Sequence, residues 1–242
     1  MPKKSINDIR VPTYDDLFTN EEQRQEAKLE KIMEVPVEDI QEFKNHPFRV
    51  RNDEQMSELV KSVSANGILV PVLVRPHPNG HGYEMISGHR RMNAAMVNGQ
   101  EKIQAIVREL TDDQATIIMV DSNIQRENIL PTERGFAYKM KLDAMIRQSG
   151  RPKDNGSQLG NHLKGKKSIE VLAEEERKSK NQIHRFIRLT ELIEPLRDMV
   201  DGIRTDGKKI AFNPAVELSY LSKENQQFVV KNIEGLDLTP SH

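Results

Sequence analysis

The segment from Met85 to Ala95 runs from a strand through a glycine directly into a helix, and this limits how the chain can fold. Tyr83 and Met85 alternate with polar neighbours, which is typical of a half-buried strand. Beyond Gly88, apolar residues recur at the i, i+3, i+4 spacing of one helical face. The sequence therefore predicts a strand, a tight turn and a helix in immediate succession.

The first turn of this predicted helix carries two cations, Arg90 and Arg91. The helix macrodipole is already positive there, so cations cost stability unless an anion offsets them. Backbone N–H groups beside Gly88, together with two guanidinium forks, would make a good phosphate site. The alternative is that both arginines point into solvent or pair with nearby acids, and the segment alone favours neither reading.

Composition narrows the class of protein. The chain has 242 residues, of which 36% are hydrophobic and 5% aromatic, with no Trp, so we expect small aliphatic cores. It contains no Cys, which excludes disulfides, thiolate metal sites and cysteine nucleophiles. We find neither a signal peptide nor an apolar run long enough to span a membrane, and we expect a cytoplasmic protein with no membrane partner.

Charge is unevenly distributed although the net charge is only −1. The stretch from Asp15 to Glu42 holds ten acids against three bases, a balance of −7. The stretch from Met145 to Arg188 holds eleven bases against five acids, a balance of +6. This asymmetry favours one surface for nucleic acid and a separate acidic arm.

The chain divides into four parts by its patterns. Residues 1–30 are predicted to be a flexible, partner-binding arm, with Tyr14, Leu17 and Phe18 as its apolar cluster. Residues 31–130 are predicted to form an α+β domain and residues 131–230 an all-α domain. Residues 231–242 are expected to begin a C-terminal segment that this chain cuts short.

Turn and capping signals place the elements of the α+β domain. Asn98-Gly99 is expected to end the helix that begins after Gly88. The other predicted elements are a helix capped by Asn52 and stopped at Gly67, a buried strand Ile68–Val74 with an edge or bulge at Pro71, a hairpin turn at His77–His81, a strand Ile103–Val107, and a helix opened by a capping box at Thr111–Gln114.

A helix-turn-helix pattern is predicted from Ser168 to Leu189. Apolar residues form the inner face of its second helix, and the outer face carries amides and cations that can reach base edges and phosphates. Glu176 replaces a usual inner leucine and Arg177 a usual turn glycine, so a plain helical hairpin remains the alternative. The candidate DNA contacts are Ser179, Lys180, Asn181, Gln182, His184, Arg185 and Arg188. Residues 150–167, just before, are either a linker or a basic loop that touches DNA.

Three ordered motifs resemble the ParB family of chromosome and plasmid partition proteins. They are Gly67-Ile68-Leu69-Val70-Pro71, Ser87-Gly88-His89-Arg90-Arg91 and Asn123-Ile124-Gln125-Arg126. The likeness extends over about residues 32–222 and points to a plasmid or mobile-element relative. It implies an α+β ParB-type nucleotide-binding domain followed by an all-α helix-turn-helix DNA-binding domain.

The resemblance also implies a ligand and its site. In that family the N-terminal domain binds CTP and Mg²⁺. The glycine-proline motif lies near the base, the Gly-x-Arg-Arg turn holds phosphates, and the asparagine of the third motif, here Asn123, helps to place the metal. The implied nucleotide-binding residues are Gly67, Ile68, Pro71, Ser87, Gly88, His89, Arg90, Arg91, Asn123, Gln125 and Arg126.

Two departures from the family pattern concern hydrolysis. The family's turn is usually Gly-Glu-Arg-Arg and its third motif usually begins Glu-Asn, whereas this chain has His89 and Ser122. Loss of both carboxylates leaves phosphate binding intact but leaves at most a weak CTPase, with Asp121 or Glu127 as substitutes.

The family implies further partners and a function. These are duplex DNA at a parS-like site, a ParA-type ATPase met by the acidic arm, a second copy in a homodimer, and residence on the nucleoid, with the protein forming a CTP-dependent clamp for DNA segregation. The alternative is a transcriptional regulator or nucleoid protein that binds DNA without a nucleotide switch. A small-molecule enzyme is a weaker possibility, because the ParB fold resembles sulfiredoxin and some kinases but the chain lacks Cys.

Overall fold

Five strands, nine α-helices and two short 3-10 helices, Val37–Asp39 and Leu189–Glu191, lie in the part of the chain that the computed structural model describes, residues 32–49, 53–126, 128–149 and 167–236. The strands are β1 (Ile32–Pro36), β2 (Ile40–Gln41), β3 (Val72–Pro76), β4 (Tyr83–Ser87) and β5 (Lys102–Val107). The helices are α1 (Glu54–Asn66), α2 (His89–Val97), α3 (Asp112–Ile124), α4 (Pro131–Ser149), α5 (Ser168–Glu175), α6 (Lys180–Arg188), α7 (Glu194–Asp201), α8 (Phe212–Leu218) and α9 (Lys223–Leu236). The predicted arm at residues 1–30, Asn52, Glu127 and residues 150–166 lie outside the described residues.

The strands form one mixed sheet in the order β1-β5-β3-β4-β2. β3 and β4 are antiparallel, and the backbone N–H of His77 donates to the carbonyl of Gly82 at 3.0 Å to close their turn. This confirms the predicted hairpin. α2 begins at the end of β4 and lies against the sheet. The chain then continues into β5, which pairs with β3 in parallel.

The predicted strand at Ile68–Val74 is wrong in its first half. β3 begins only at Val72, and the side chains of Leu69 and Val70 are 76% and 63% exposed. Pro71 lacks an N–H and restricts the residue before it, so the chain joins the sheet only after the proline. The apolar run is therefore an exposed loop followed by a strand.

Helix caps explain where two of the helices begin. The carboxylate of Asp53 accepts from the N–H of Met56 at 2.8 Å, so Asp53, and not the predicted Asn52, caps α1. Thr111 and Gln114 form the predicted capping box at α3. Both caps satisfy N–H groups that a helix start leaves without intrahelical partners.

One core extends across the predicted boundary near residue 130. α4 packs against both α3 and α6, and the cluster includes Ile86, Met119, Tyr138, Leu172 and Ile183. A second cluster joins α7, α8 and α9 through Leu196, Met199, Val216, Val230 and Ile233. The sheet domain and the α5–α6 pair are therefore held together by shared burial of apolar surface.

A buried lysine strengthens this junction. The Nζ of Lys141 on α4 lies 2.6 Å from Asp121 Oδ1 on α3 and 2.7 Å from Glu175 Oε2 on α5. The side chain of Lys141 is only 4% exposed, and the two carboxylates together hold its pKa above the usual value against the opposing effect of burial. Because a buried charge needs partners, this triad fixes three helices relative to one another.

A second buried ion pair lies within the sheet, across β3 and β4. Arg75 on β3 donates through Nε to Glu84 Oε2 on β4 at 2.6 Å, and both side chains are almost fully buried. The same guanidinium reaches Asp112 Oδ1 at 2.7 Å and the carbonyl of Leu110 at 3.2 Å. Arg75 therefore joins the hairpin to the start of α3.

We predict that Glu84→Ala lowers the free energy of unfolding by about 3–5 kcal/mol, because it leaves the Arg75 charge buried without its main partner. Asp112→Ala is the matched control. It removes the exposed partner of the same guanidinium and should cost under about 1 kcal/mol. Urea denaturation of the two variants measures the difference, and equal losses would contradict this account.

Candidate functional site

Gly88 forms the turn between β4 and α2. Its φ is +114°, and a Cβ built there would lie 2.7 Å from Cγ1 of Val72 on β3. Only glycine fits both the conformation and the close approach. No side chain caps α2, so its first backbone N–H groups are presented beside the turn, as in helix N-termini that bind anions.

The two arginines of α2 have different surroundings. Nη2 of Arg90 lies 3.0 Å from Oδ1 of Asp53, the residue that caps α1. Nη1 of Arg91 donates to the carbonyls of Val70 and Pro71 at 2.5 and 2.7 Å. Arg91 therefore holds the loop before β3, and Arg90 pairs with an acid, as the alternative reading anticipated. Their predicted contacts with phosphate stay predictions.

His89, the first residue of α2, is buried against a second histidine. Its ring centroid lies 3.9 Å from that of His46, and only 7% of His89 is exposed. Nδ1 of His46 is 2.8 Å from the carbonyl of Phe48. In the described part of the chain, neither ring nitrogen of His89 has a hydrogen-bond partner, and Nε2 of His46 has none either. Burial lowers the pKa of His89 to about 3 and that of His46 to about 4.

The end of α3 brings further polar groups to the same place. The positive charge of Arg126 contributes to the low pKa of both histidines, so it lies within electrostatic range of them. Desolvation lowers the pKa of Arg126 itself, and the like charge of Arg90 lowers it further. Asn123, one helical turn earlier, donates from Nδ2 to the carbonyl of Met119 at 2.8 Å. Its buried Oδ1 has no partner among the described residues.

This cluster brings together two guanidiniums, Arg90 and Arg126, and two imidazoles, His46 and His89, which are uncharged at pH 7 because burial lowers their pKa values to about 4 and 3. The carboxylates beside it are already engaged: Asp53 caps α1, and Glu133 accepts from the backbone N–H groups of Arg49 and Leu130 at 3.0 and 3.2 Å. Guanidinium and imidazole donors beside an uncapped helix N-terminus suit an anion with several phosphate oxygens.

The other predicted nucleotide-binding residues lie at the ends of neighbouring elements. Gly67 ends α1 with φ at +69°, which confirms it as the helix stop, and Ile68 packs partly buried against the sheet. Ser87 is the last residue of β4 and pairs with Leu73. Gln125 is exposed at the end of α3.

Of the two substitutes considered for the missing carboxylates, Asp121 already has a partner. Asp121 is held by Lys141 at 2.6 Å, and Ser122 Oγ donates to the carbonyl of Met119 at 2.9 Å. Glu127, the other residue considered, lies outside the described residues.

The residues present do not fit a magnesium site of their own. Mg²⁺ prefers oxygen ligands in octahedral geometry and usually takes one or two protein carboxylates. At this site Asn123 Oδ1 is a buried oxygen without a partner among the described residues, and the side chains of the cluster are imidazoles and guanidiniums. Those ranges hold no group of three or more His, Cys, Asp or Glu that could bind a metal.

The predicted helix-turn-helix segment contains two helices, α5 and α6, joined by a short turn. Arg177 in that turn has φ at +51°, the left-handed conformation for which glycine is usual, so the substitution noted in the sequence carries backbone strain. Ser179 and Gln182 form a capping box at the start of α6, and Lys180 pairs with Glu170 at 2.6 Å. Glu176 is half-buried and accepts from the hydroxyl of Tyr138 at 3.3 Å.

The outer face of α6 is partly used for packing. Nη2 of Arg185 donates to Asn213 Oδ1 at 2.6 Å, and Arg188 bonds Ser219 and lies over the ring of Tyr220 at 4.1 Å. These two predicted DNA contacts therefore tie α6 to the α8 region. Asn181 and His184 are exposed, and in the described part of the chain their side chains make no hydrogen bond or ion pair.

Sequence reasoning missed His46 and Asp53. Both lie in the segment before α1, more than thirty positions from the arginine motif that they contact. The one local signal was for Asp53, an acid just ahead of the periodic helix pattern. No local pattern indicated His46.

Comparison with known proteins finds similarity to one family. Residues 21–124 match the family described as ParB N-terminal domain. A chromosome-partitioning protein ParB of Myxococcus xanthus is 36% identical over 112 residues, covering 46% of this chain and 37% of that protein. The chain thus spans well under half of that relative. A nucleoid occlusion protein of Listeria monocytogenes is 28% identical over 220 residues, covering 88% of this chain and 68% of that protein.

A solved structure agrees on the fold. A Pnob8-like ParB-N domain aligns with a TM-score of 0.52 at 15% identity, covering 85% of this chain and 91% of that one. At this identity the likeness concerns the fold alone. Within the described ranges, no helix is both long enough and apolar enough to cross a bilayer.

We predict that Gly88→Ala lowers the free energy of unfolding by roughly 2–4 kcal/mol, because the new methyl group meets Val72 in a left-handed backbone conformation. Gly99→Ala is the control. Gly99 also has positive φ, at +67°, but a Cβ there has no neighbour within 4 Å, so only the backbone penalty of about 1 kcal/mol applies. Thermal or urea denaturation should separate the two variants, and equal losses would show that Val72 does not limit the turn.

We also predict that acid destabilises the fold through the two buried histidines. Their folded pKa values of about 3 and 4 lie below the ordinary value near 6.5, so between these limits the unfolded chain binds more protons. The free energy of unfolding should therefore fall as the pH drops from 7 to 5, by roughly 1–2 kcal/mol per histidine. Replacing both His46 and His89 by Gln should flatten this dependence, whereas His81→Gln, on an exposed turn, should not. An unchanged slope in the double variant would refute the assignment.

Proposed function

We propose that this chain is a DNA-binding partition protein of the ParB type that holds CTP at the turn formed by Gly88. The observation that carries the proposal is a pair of guanidiniums, Arg90 and Arg126, and the buried His89 imidazole without a partner among the described residues, all beside an uncapped helix N-terminus. A nucleoside triphosphate supplies the negative charge that this arrangement lacks. The family match over residues 21–124 and the chromosome-partitioning relatives support the same reading.

The proposal extends to duplex DNA through α6. Its N-terminal turn presents exposed polar side chains, Asn181 and His184 among them, while Ile183 on the opposite face is fully buried. An amide side chain can bond two atoms of one base edge, which makes Asn181 the better candidate for sequence readout. Ser179, Lys180 and Gln182 would lie near the phosphate backbone.

The shared core gives a route between the two activities. α4 contacts both α3, which carries Asn123, and α6, so a change at the nucleotide site can shift the DNA-binding helix. We infer that CTP controls closure of two copies around DNA, as a clamp at a parS-like site on the nucleoid. The acidic arm at residues 1–30 would meet a ParA-type ATPase.

Hydrolysis of CTP should be weak or absent. His89 and Ser122 stand where the family has carboxylates, and Asp121 is occupied by Lys141. Such a clamp would reopen mainly when the nucleotide dissociates. Mg²⁺ is left out of this proposal, because the described residues do not fit it.

A second candidate function has support from one comparison. The similarity to a nucleoid occlusion protein extends over 220 residues, which include the helices that follow the ParB N-terminal domain. On that reading the chain binds DNA at many nucleoid sites, with or without a nucleotide switch, and plays no part in segregation. Mapping its binding sites across a genome would distinguish the two, since a partition protein should concentrate at a few sites.

We predict that CTP binds the full chain and that Arg90→Ala weakens binding ten- to a hundredfold, as expected for loss of one charge-assisted contact worth roughly 1.5–3 kcal/mol. Arg204→Ala is the control, because Arg204 is also paired with carboxylates, Asp206 and Glu234, but lies near the C-terminal helices. Isothermal titration gives both constants. No heat of CTP binding at millimolar concentration would leave a plain DNA-binding protein.

We predict that Asn181→Ala costs about 1–3 kcal/mol in affinity for the preferred DNA site, while binding to random DNA is unchanged. Asn225→Ala, on the exposed face of α9, should change neither. Arg188→Ala should mainly lower stability, because Arg188 packs on α8. Gel shifts with specific and random duplexes, combined with denaturation, test all three. An Asn181 variant that keeps full specificity would remove α6 from base readout.

A further inference from the structure

The side chains of the candidate site supply hydrogen-bond donors where a metal-dependent site would supply carboxylates. His89 is only 7% exposed, and neither of its ring nitrogens has a partner among the described residues. Nε2 of His46 is in the same state, across a stack whose ring centroids lie 3.9 Å apart. Because His46 Nδ1 donates to the Phe48 carbonyl, its Nε2 is an acceptor, and His89 is the imidazole with an N–H left for a ligand beside the start of α2.

We propose that His89 and Arg126 bind the terminal phosphates of the nucleotide directly, so that triphosphate binding by this chain does not require a divalent cation. The inference rests on the proposed nucleotide site, and it names the groups that neutralise the ligand there.

The donor chemistry supports this assignment. A neutral imidazole has one N–H donor and one acceptor nitrogen, and a second proton turns both nitrogens into donors. Phosphate oxygens accept such bonds, and charge-assisted bonds to them are stronger than neutral ones. Mg²⁺ instead takes oxygen ligands and keeps several waters, so imidazole nitrogen is a poor ligand for it.

The arrangement of charge supports it independently. Arg126 and Arg90 lie close enough for each like charge to be felt, as the lowered pKa of Arg126 shows. A divalent cation placed between them would add to this repulsion, whereas a triphosphate relieves it. The nearby carboxylates already have partners: Asp53 pairs with Arg90, and Glu133 accepts from two backbone N–H groups.

Burial explains why these groups favour a bound ligand. A polar nitrogen shielded from water without a partner raises the free energy of the protein, and a bound phosphate oxygen removes that cost. Asn123 Oδ1 is buried and without a partner in the described ranges, yet as an acceptor it cannot bond a phosphate oxygen. We assign it instead to an N–H or O–H donor on the ligand.

The first test needs no variant. CTP is titrated calorimetrically into the full chain, once with excess Mg²⁺ and once with EDTA, at matched ionic strength. We expect the two dissociation constants to agree within about threefold. Binding that disappears in EDTA overturns this inference but leaves the proposed nucleotide site standing. No binding in either buffer overturns both.

A charge variant sharpens the result. His89→Glu restores an acid at this position, so CTP binding in EDTA should weaken at least about tenfold and should recover when Mg²⁺ is added. His81→Glu, which adds the same charge on an exposed turn, should match the parent chain in both buffers. Circular dichroism confirms that each variant is folded, and His89→Gln replaces the glutamate variant if burial of a carboxylate unfolds it. A glutamine variant that binds CTP as tightly as the parent chain would contradict a direct phosphate contact.

Discussion

The close approach of Gly88 to Val72 sets the geometry on which the candidate site depends. The turn must pass within contact distance of β3 with φ at +114°, which leaves no room for a side chain. α2 consequently starts at the end of β4. Its first residue packs against His46, and its second lies beside the cap of α1. One backbone position thereby brings together three segments that are distant in the sequence.

Stability and binding capacity are distributed differently over the molecule. Two buried cations away from the site are paired with carboxylates: Arg75 with Glu84, and Lys141 with Asp121 and Glu175. The site itself keeps imidazole and amide atoms buried without partners in the described part of the chain, beside two guanidiniums of like charge. Groups that break the rule of satisfied polar burial are expected where a ligand completes them.

Short-range sequence patterns predicted the elements whose structure is determined by local interactions. The strand, glycine turn and helix around Gly88, the hairpin between β3 and β4 and the capping box at Thr111 all follow from short-range spacing and turn chemistry. Long-range contacts were beyond such patterns. The amphipathic spacing of α6 showed its buried face, but only the fold reveals that Arg185 and Arg188 are used against α8. His46 reaches His89 across more than forty residues, and no periodicity records that pairing.

The central claim is that nucleotide phosphates bind at the start of α2, next to the end of α3. The most direct measurement is the change in backbone amide chemical shifts of the isotopically labelled full chain when CTP is added in the presence of EDTA. The account predicts the largest changes at residues 88–91 and 123–126, with small changes in α8 and α9. Large changes confined to other surfaces, or none at saturating CTP, would contradict it.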